Sequence, residues 1–399
     1  MRPIAYVLPL VLLSAAGCKQ DHSGDPAAQQ QPGATEAARP SGSGADSMAS
    51  HDSGPGTAAS GDVADAEQRP VMQLQVVLDR LGFSPGVIDG KQGLSLGNAL
   101  SGYQQANDLP ATGKPDEATL AKLKQWSNIP ATRVVTIPDD FAAGPFIPVP
   151  KGPAEQAKMQ SLGYASLDEK LAERFHTTVE TLHMLNPGGV PAGSAPAGPA
   201  QPAPTGAPSA AATPGAPLPP MFRAGQTIRV PNIGSDALDA SKIDDQEWLA
   251  TLRNLGVGSD QPKVEKVVVS KSKGTLMAYD EAGKLVAVYT ATMGSSHDPL
   301  PLGQWTIKGV ARNPPFHYNP DLFWDASAKE EKQKLPPGPN GPVGVVWIDL
   351  SKPHYGIHGT PEPQTIGRAE SHGCVRLTNW DAARLAQIVK PGTVALFEK

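Results

Sequence analysis

Large apolar residues are spread unevenly along this chain, and their spacing changes character several times. From residue 19 to about 65 they are almost absent, and Gly, Ala, Ser, Pro, Gln and Asp prevail. Such a segment cannot bury a core and is expected to be a flexible tether, reaching on the order of 150 Å when extended. From Arg69 apolar positions return at helical spacing. Leu74, Val77, Leu78 and Leu81 form one set, Leu96, Ala99, Leu100 and Tyr103 a second, and Ala118, Leu120 and Leu123 a third with Asp116 as its cap. Residues 127–153 are Pro-rich and read as a linker. Tyr164 to Gly188 carries two more helical segments ending at Asn186-Pro187, and Phe222 to Asn232 reads as a turn and a short strand. An Ala/Pro-rich insert, 189–220, separates them. From residue 263 to 399 the pattern becomes β: short β-branched runs such as "VEKVVVS", "GTLMAYD", "KLVAVYTATMG" and "VGVVWIDL" are bounded by Gly, Asp and Lys. Runs so closely spaced predict a sandwich or barrel-like sheet. One helix follows, capped by Asn379 with Ala383, Leu385, Ala386 and Val389 on one face, and a final strand spans Val394 to Phe397.

Composition fits several folded modules joined by flexible segments. Pro (42) and Gly (41) make up about a fifth of the 399 residues. The net charge of −5 argues against a basic nucleic-acid footprint. At the N-terminus, Arg2, an apolar run from Ile4 to Leu13 and the small residues Ser14 to Gly17 form an export signal over residues 1–17, too short to span a bilayer. The small-residue site runs directly into Cys18. "AAGC" resembles the lipobox of bacterial lipoproteins, which implies lipidation of Cys18, a tether over 18–67 and membrane attachment through the lipid. Lys19, by the same resemblance, implies the outer membrane. The alternative is an ordinary signal peptide with an incidental Cys.

The chain has two cysteines, Cys18 and Cys374. If the first is acylated, the second is a lone thiol in an exported protein, where unpaired cysteines are usually avoided. Catalysis is the leading reason to keep one. Cys374 lies among Ser371, His372, Gly373 and Arg376, just before the last helix, and His358 stands upstream at the end of a predicted strand. A thiol reacts as its thiolate, and a nearby imidazole can lower its pKa or accept its proton. Gly373 permits close backbone approach, and N–H groups of the loop are candidates to stabilise an oxyanion. His354, His358 and His372 could also suggest zinc. No H-E-x-x-H is present, however, and Glu362 and Glu370 fit no familiar ligand spacing, so no metal and no cofactor is expected. Between Asn313 and Gly344, Phe316, Tyr318, Phe323 and Trp324 either pack over the cleft as a lid or substrate wall or staple their loop to the sheet, with Phe323 and Trp324 better suited to stapling and His317 and Tyr318 to facing substrate. His176 and His183 are expected to be surface or packing residues.

Three segments resemble known wall-enzyme modules. "YGIHGT", "IGRAESHGCVRL" and "GTVALF" make residues 263–399 similar to the YkuD-type L,D-transpeptidase domain, mainly β with a C-terminal helix. Leu74 to Leu123, with "YQQAN" and "TGKPDEATL", resembles the small three-helix peptidoglycan-binding domain, taken here as 68–126. Residues 154–234 resemble a LysM module, a β-α-α-β unit, without its usual Gly-Asp and split by the insert. The resemblance implies that Cys374 is the nucleophile and His358 the general base, oriented by the Gly359 carbonyl. His372 shapes the site, Gly373 and Cys374 supply oxyanion-hole N–H groups, and Ser371 supports the loop. Tyr355 and Gly356 line the cleft. Arg376 either binds a stem-peptide carboxylate or braces the loop.

The resemblance further implies a two-step acyl transfer through a Cys374 thioester, with peptidoglycan stem peptides and glycan strands as partners. A stem amine as acceptor gives 3→3 crosslinks, and a lysine of an envelope lipoprotein gives protein attachment. Water as acceptor gives an L,D-carboxypeptidase. A non-catalytic wall-binding tether is the rival of another class. The expected location is the periplasmic face of the envelope.

Overall fold

Short helices come first. α1 (Pro70–Arg80), α2 (Leu94–Ala106) and α3 (Glu117–Leu123) form one group. Pro70 sits in the first turn of α1, where its missing N–H costs nothing. Asp116 caps α3, its carboxylate accepting from the Thr119 N–H at 3.0 Å. The buried Gln104 carboxamide ties this group together. It donates to Thr112 Oγ1 (2.9 Å), the Lys114 carbonyl (2.8 Å) and Thr119 Oγ1 (2.9 Å), and accepts from Gly113 N (2.8 Å). The computed structural model describes residues 65, 67–194, 220–234, 238–324, 326, 327 and 329–399. The expected signal segment, Cys18, nearly all of the tether and most of the Ala/Pro-rich insert lie outside them.

Next come β1 (Thr132–Thr136), α4 (Pro153–Gln156), α5 (Leu167–Arg174), α6 (Val179–Leu185) and β2 (Thr227–Pro231). β1 pairs antiparallel with β2, from Thr132 opposite Pro231 to Thr136 opposite Thr227. The unit is thus closed by a strand in the Pro-rich stretch expected to be a linker. TRVVT is β-branched, and its partner lies about a hundred residues downstream. Helix α7 (Gln246–Leu255) follows, between the β1–β2 unit and the β-rich region, where the sequence reading has no element. Its signals are ordinary: Asp245 caps Glu247 and Trp248 N–H groups, Gly256 ends it at φ +70°, and Trp248, Leu249, Leu252 and Leu255 are buried on one side.

The remaining strands are β3 (Lys266–Ser270), β4 (Thr275–Tyr279), β5 (Leu285–Thr290), β6 (Thr292–Met293), β7 (Gly303–Arg312), β8 (Phe316–Tyr318), β9 (Gln333–Leu335), β10 (Val346–Leu350), β11 (Gly356–His358), β12 (Val375–Arg376) and β13 (Val394–Glu398); helix α8 (Asn379–Ile388) precedes the last. Nine strands form one sheet in the order β5-β4-β3-β13-β7-β10-β11-β12-β6. The ten-residue β7 joins its halves, pairing with β13 through Gly303–Thr306 and with β10 through Ile307–Arg312. The edge strands β5 and β6 are separated by Ala291 alone, so the sheet returns almost onto itself. This is the barrel-like mainly-β domain expected, with α8 and α7 packed into its core beside Ile348, Ile357 and Val375. Thr378, rather than Asn379, caps α8, its Oγ1 accepting from Asp381 N at 3.2 Å.

The modules share cores. Val77, Leu78, Phe83, Leu96, Leu100 and Tyr103 cluster with Val268, Met277, Leu285 and Val288 of the sheet. α2 lies along β5, and a Cβ at Gly102 would fall 2.5 Å from Val288 Cγ2. Met72, Val76 and Ile88 in turn join the core of the β1–β2 unit. Each fully buried Val or Leu in such a seam is worth about 1.5–3 kcal/mol. His176 lies in a seam too. It is fully buried, stacked on Trp380 at 4.9 Å, with Nδ1 3.2 Å from Asp79 Oδ2 and Nε2 3.0 Å from the Leu255 carbonyl oxygen. His183 sits 2.7 Å from Asp168 Oδ2.

Candidate active site

Strand register brings the sequence-predicted residues to one place. β11 and β12 run parallel, with Ile357 opposite Val375 and His358 opposite Arg376. Cys374, one residue before β12, comes level with Gly356. Side chains alternate along a strand, so Gly356 and His358 share a face with Cys374 and Arg376. His358 is therefore a diagonal neighbour of Cys374, roughly 8 Å away between Cα atoms from the strand spacing and rise. The thiol itself is 3.9 Å from the His354 carbonyl oxygen. His354 is exposed and holds a left-handed backbone, φ +67°.

His358 is 5% exposed. Its Nδ1 is 2.7 Å from the Gly359 carbonyl oxygen, which can only accept, so Nδ1 carries the proton and Nε2 the lone pair. Burial, and then the Arg376 charge, lower its pKa to about 4. Trp347 stacks on the imidazole at 5.6 Å. A Cβ at Gly356 would fall 2.5 Å from the Trp347 ring, so only glycine fits there.

The loop carrying the thiol is braced from beneath. Ser371 is buried, and its Oγ accepts from Gly294 N and donates to the Cys374 carbonyl, each at 2.6 Å. Gly373 has φ +93°, and a Cβ there would lie 2.7 Å from the Tyr355 ring. Burial pushes the Cys374 thiol above its ordinary pKa; a backbone hydrogen bond from Gly356 and the Arg376 charge offset this only in part. Of the two roles open to a neighbouring imidazole, lowering the thiol pKa or accepting its proton, this balance favours the second. Burial favours the neutral form of both groups. A neutral imidazole beside a protonated thiol can remove a proton during attack, but holds no ready-made ion pair.

His372 is half-buried and meets the aromatic loop. Phe323 meets it edge-on at 5.0 Å and Trp324 lies 5.9 Å away. Of the two placements open to these rings, they take the wall beside the loop that carries Cys374, and Trp324 is 57% exposed. Tyr318 stacks on Phe323 at 5.5 Å and bonds Glu330, while His317 is exposed on β8. Periodicity could not find these contacts, because residues 313–344 carry little regular structure. Among the described residues no group of three His, Cys, Asp or Glu side chains is arranged to hold a metal ion.

Comparison with known proteins identifies two modules in the chain. Residues 265–396 match the model of the L,D-transpeptidase catalytic domain, YkuD, and residues 67–123 match "Putative peptidoglycan binding domain". The chain carries an L,D-transpeptidase catalytic domain preceded by a peptidoglycan-binding domain. It is 37% identical over 128 residues to "Putative L,D-transpeptidase YkuD" of Bacillus licheniformis, covering 32% of this chain and 62% of that protein. It is 56% identical over 55 residues to the protein of the same name from Bacillus subtilis, covering 14% and 34%. "Probable L,D-transpeptidase YbiS" of Escherichia coli is 29% identical over 137 residues, covering 33% and 44%. The chain thus spans less than two thirds of the length of each of these relatives.

Proposed function

We propose that this protein is a cysteine peptidoglycan L,D-transpeptidase that forms 3→3 crosslinks from tetrapeptide stems. The observation that carries the reading is the β11–β12 register, with Cys374 and His358 diagonal on one face and the His358 tautomer fixed by the Gly359 carbonyl. His358 Nε2 takes the thiol proton as Sγ attacks the carbonyl of the third stem residue. The tetrahedral oxyanion is held by the N–H groups of Gly373 and Cys374. The C–N bond to D-Ala breaks, the imidazolium returns its proton to the leaving amine, and a thioester remains. A stem amine then attacks, His358 takes its proton, and the thiol is regenerated. Arg376, opposite His358, is suited to a stem carboxylate. Phe323 and Trp324 wall the loop.

The surrounding modules support a wall-bound enzyme. The peptidoglycan-binding domain would hold it on an insoluble substrate and raise effective concentration. The β1–α5–α6–β2 unit is proposed as a LysM-like glycan binder, and Cys18 as the lipidated anchor of a periplasmic, outer-membrane lipoprotein. An envelope lipoprotein lysine or water is the alternative acceptor.

Soluble protein starting after Cys18, mixed with disaccharide-tetrapeptide and analysed by mass spectrometry, tests the reading against a C374A control. A crosslinked dimer lacking one D-Ala supports it. A tripeptide alone points to hydrolysis or to a protein acceptor. No product and no Cys374 adduct would favour a wall-binding tether.

A further inference from the structure

The strongest unassigned feature is a buried polar relay that enters the catalytic domain from the β1–β2 unit. Asn379, the first residue of α8, is fully buried. Its Nδ2 donates to Glu173 Oε1 at 2.6 Å and to the Pro339 carbonyl at 3.1 Å, and its Oδ1 accepts from Val345 N at 3.3 Å. The carboxamide is wedged between two backbone segments. A Cβ at Gly344 or Gly359 would lie 1.9 or 2.2 Å from Asn379 Oδ1. Gly359 is the residue whose carbonyl takes the His358 Nδ1–H. On the other side, Glu173 in α5 also accepts from the Tyr164 hydroxyl at 2.7 Å. The seam is closely fitted: Leu162 N donates to the Pro337 carbonyl and Asn340 N to the Leu162 carbonyl, both at 2.9 Å, and Asn340 Nδ2 bonds Glu169 Oε1 at 2.6 Å.

We infer that Glu173 and Asn379 are positioning residues for the catalytic imidazole, so that the β1–β2 unit acts in catalysis as well as in wall attachment. Glu173 fixes the Asn379 carboxamide, the carboxamide fixes the Gly359 peptide, and the Gly359 carbonyl fixes the ring and tautomer of His358. Neither residue touches substrate. The inference rests on the transpeptidase reading for its kinetic consequence, but not for its geometric one.

The test uses the protein lacking only residues 1–18, as wild type and as E173A, E173Q and N379A. With disaccharide-tetrapeptide, E173A and N379A are expected to lower kcat by about 10–100-fold, the scale of a small misplacement of a reacting group. KM should stay within about twofold. The conservative E173Q, which keeps an acceptor for the Asn379 amide, should return most of the rate. In parallel, the His358 Nδ1–H proton is followed by NMR on protein with nitrogen-labelled histidine, assigned by its absence in H358A. It should be slowly exchanging in wild type and E173Q, and broadened in E173A and N379A. An unchanged signal in both variants overturns the inference, as does a kcat within about twofold of wild type with only a lowered Tm. If wild type makes no product, the transpeptidase reading fails while the NMR signal still decides the inference.

Discussion

Arg384 of α8 grips Asp79 of α1 with both arms: one guanidinium nitrogen lies 2.8 Å from Oδ1 and the other 3.1 Å from Oδ2, with both side chains buried. Asp79 also meets His176 of the β1–β2 unit. Burial works to raise the Asp79 pKa, but Arg384 and His176 outweigh it and hold the carboxyl well below its usual range. Removing one partner of a buried pair strands the other charge, which costs about 3–5 kcal/mol. R384A is therefore expected to lose that much stability in a urea unfolding titration. A loss below about 1 kcal/mol would mean that this contact does not tie the modules together.

On the proposed mechanism, Cys374 and His358 should give an unusual pH profile. His358, lowered to about 4, is already the free base at every pH well above that value. The acid limb of kcat/KM is expected near pH 4, not near the ordinary histidine value of about 6.5. Cys374 is raised, so alkylation of the free enzyme by iodoacetamide should stay slow at neutral pH and rise only above the ordinary thiol range. Rapid alkylation at pH 6 would point to a resting thiolate and contradict this site.

Asp381 sets a stability test with a defined sign. Burial raises its carboxyl from the ordinary 3.8 to about 7. Between those values the folded chain holds a proton that the unfolded chain has released, so this contribution is full below pH 3.8 and lost as pH rises through 7. His176, lowered by burial, works in the opposite direction below about pH 6.5. D381N removes the Asp381 titration and leaves His176 in place. The stability of D381N relative to wild type should therefore increase as pH is raised from 4.5 to 7. A flat difference would show that Asp381 is ionised throughout.

Two glycines offer matched substitutions. G373A forces a side chain into φ +93° and against the Tyr355 ring. Backbone strain of this kind costs about 1–3 kcal/mol, and on the proposed mechanism the displaced loop should abolish thioester formation on Cys374. G102A acts at the helix–sheet seam and should lose about 1–3 kcal/mol by overpacking against Val288. The double variant G102A/V288A is expected to be less destabilised than the sum of the singles, by at least about 0.5 kcal/mol.

The order of modules and the catalytic segment were legible because each rests on local signals. Helical spacing marks α1 to α3, β-branched runs mark the sheet, and Cys374, His358 and Ser371 fall in short motifs. What stayed hidden was non-local. β1 is five residues in a Pro-rich stretch, and only pairing with β2 makes it a strand. Asn379 reads as a helix cap until Glu173 and Gly359 are seen on either side of it. The Cys374 thiol, beside histidines in sequence, reads equally as acidified or as a proton donor to imidazole, and the burial that raises it is non-local. Helix α7 is a different case, since Asp245, Gly256 and the Trp248–Leu255 stripe were all visible.

The near-closure of the sheet bears on how copies of this protein meet. Open strand edges invite pairing between molecules, most of all where a protein is crowded on a surface. Here one edge, β5, lies under α2 and is bonded to the chain around Phe83, and the other, β6, is only two residues long. Helices α1 to α3 thus act as a guard for the sheet. Deleting them to obtain a catalytic fragment would expose β5 together with Val288 and Met277, and such a fragment is expected to self-associate where the intact protein stays monodisperse in light scattering.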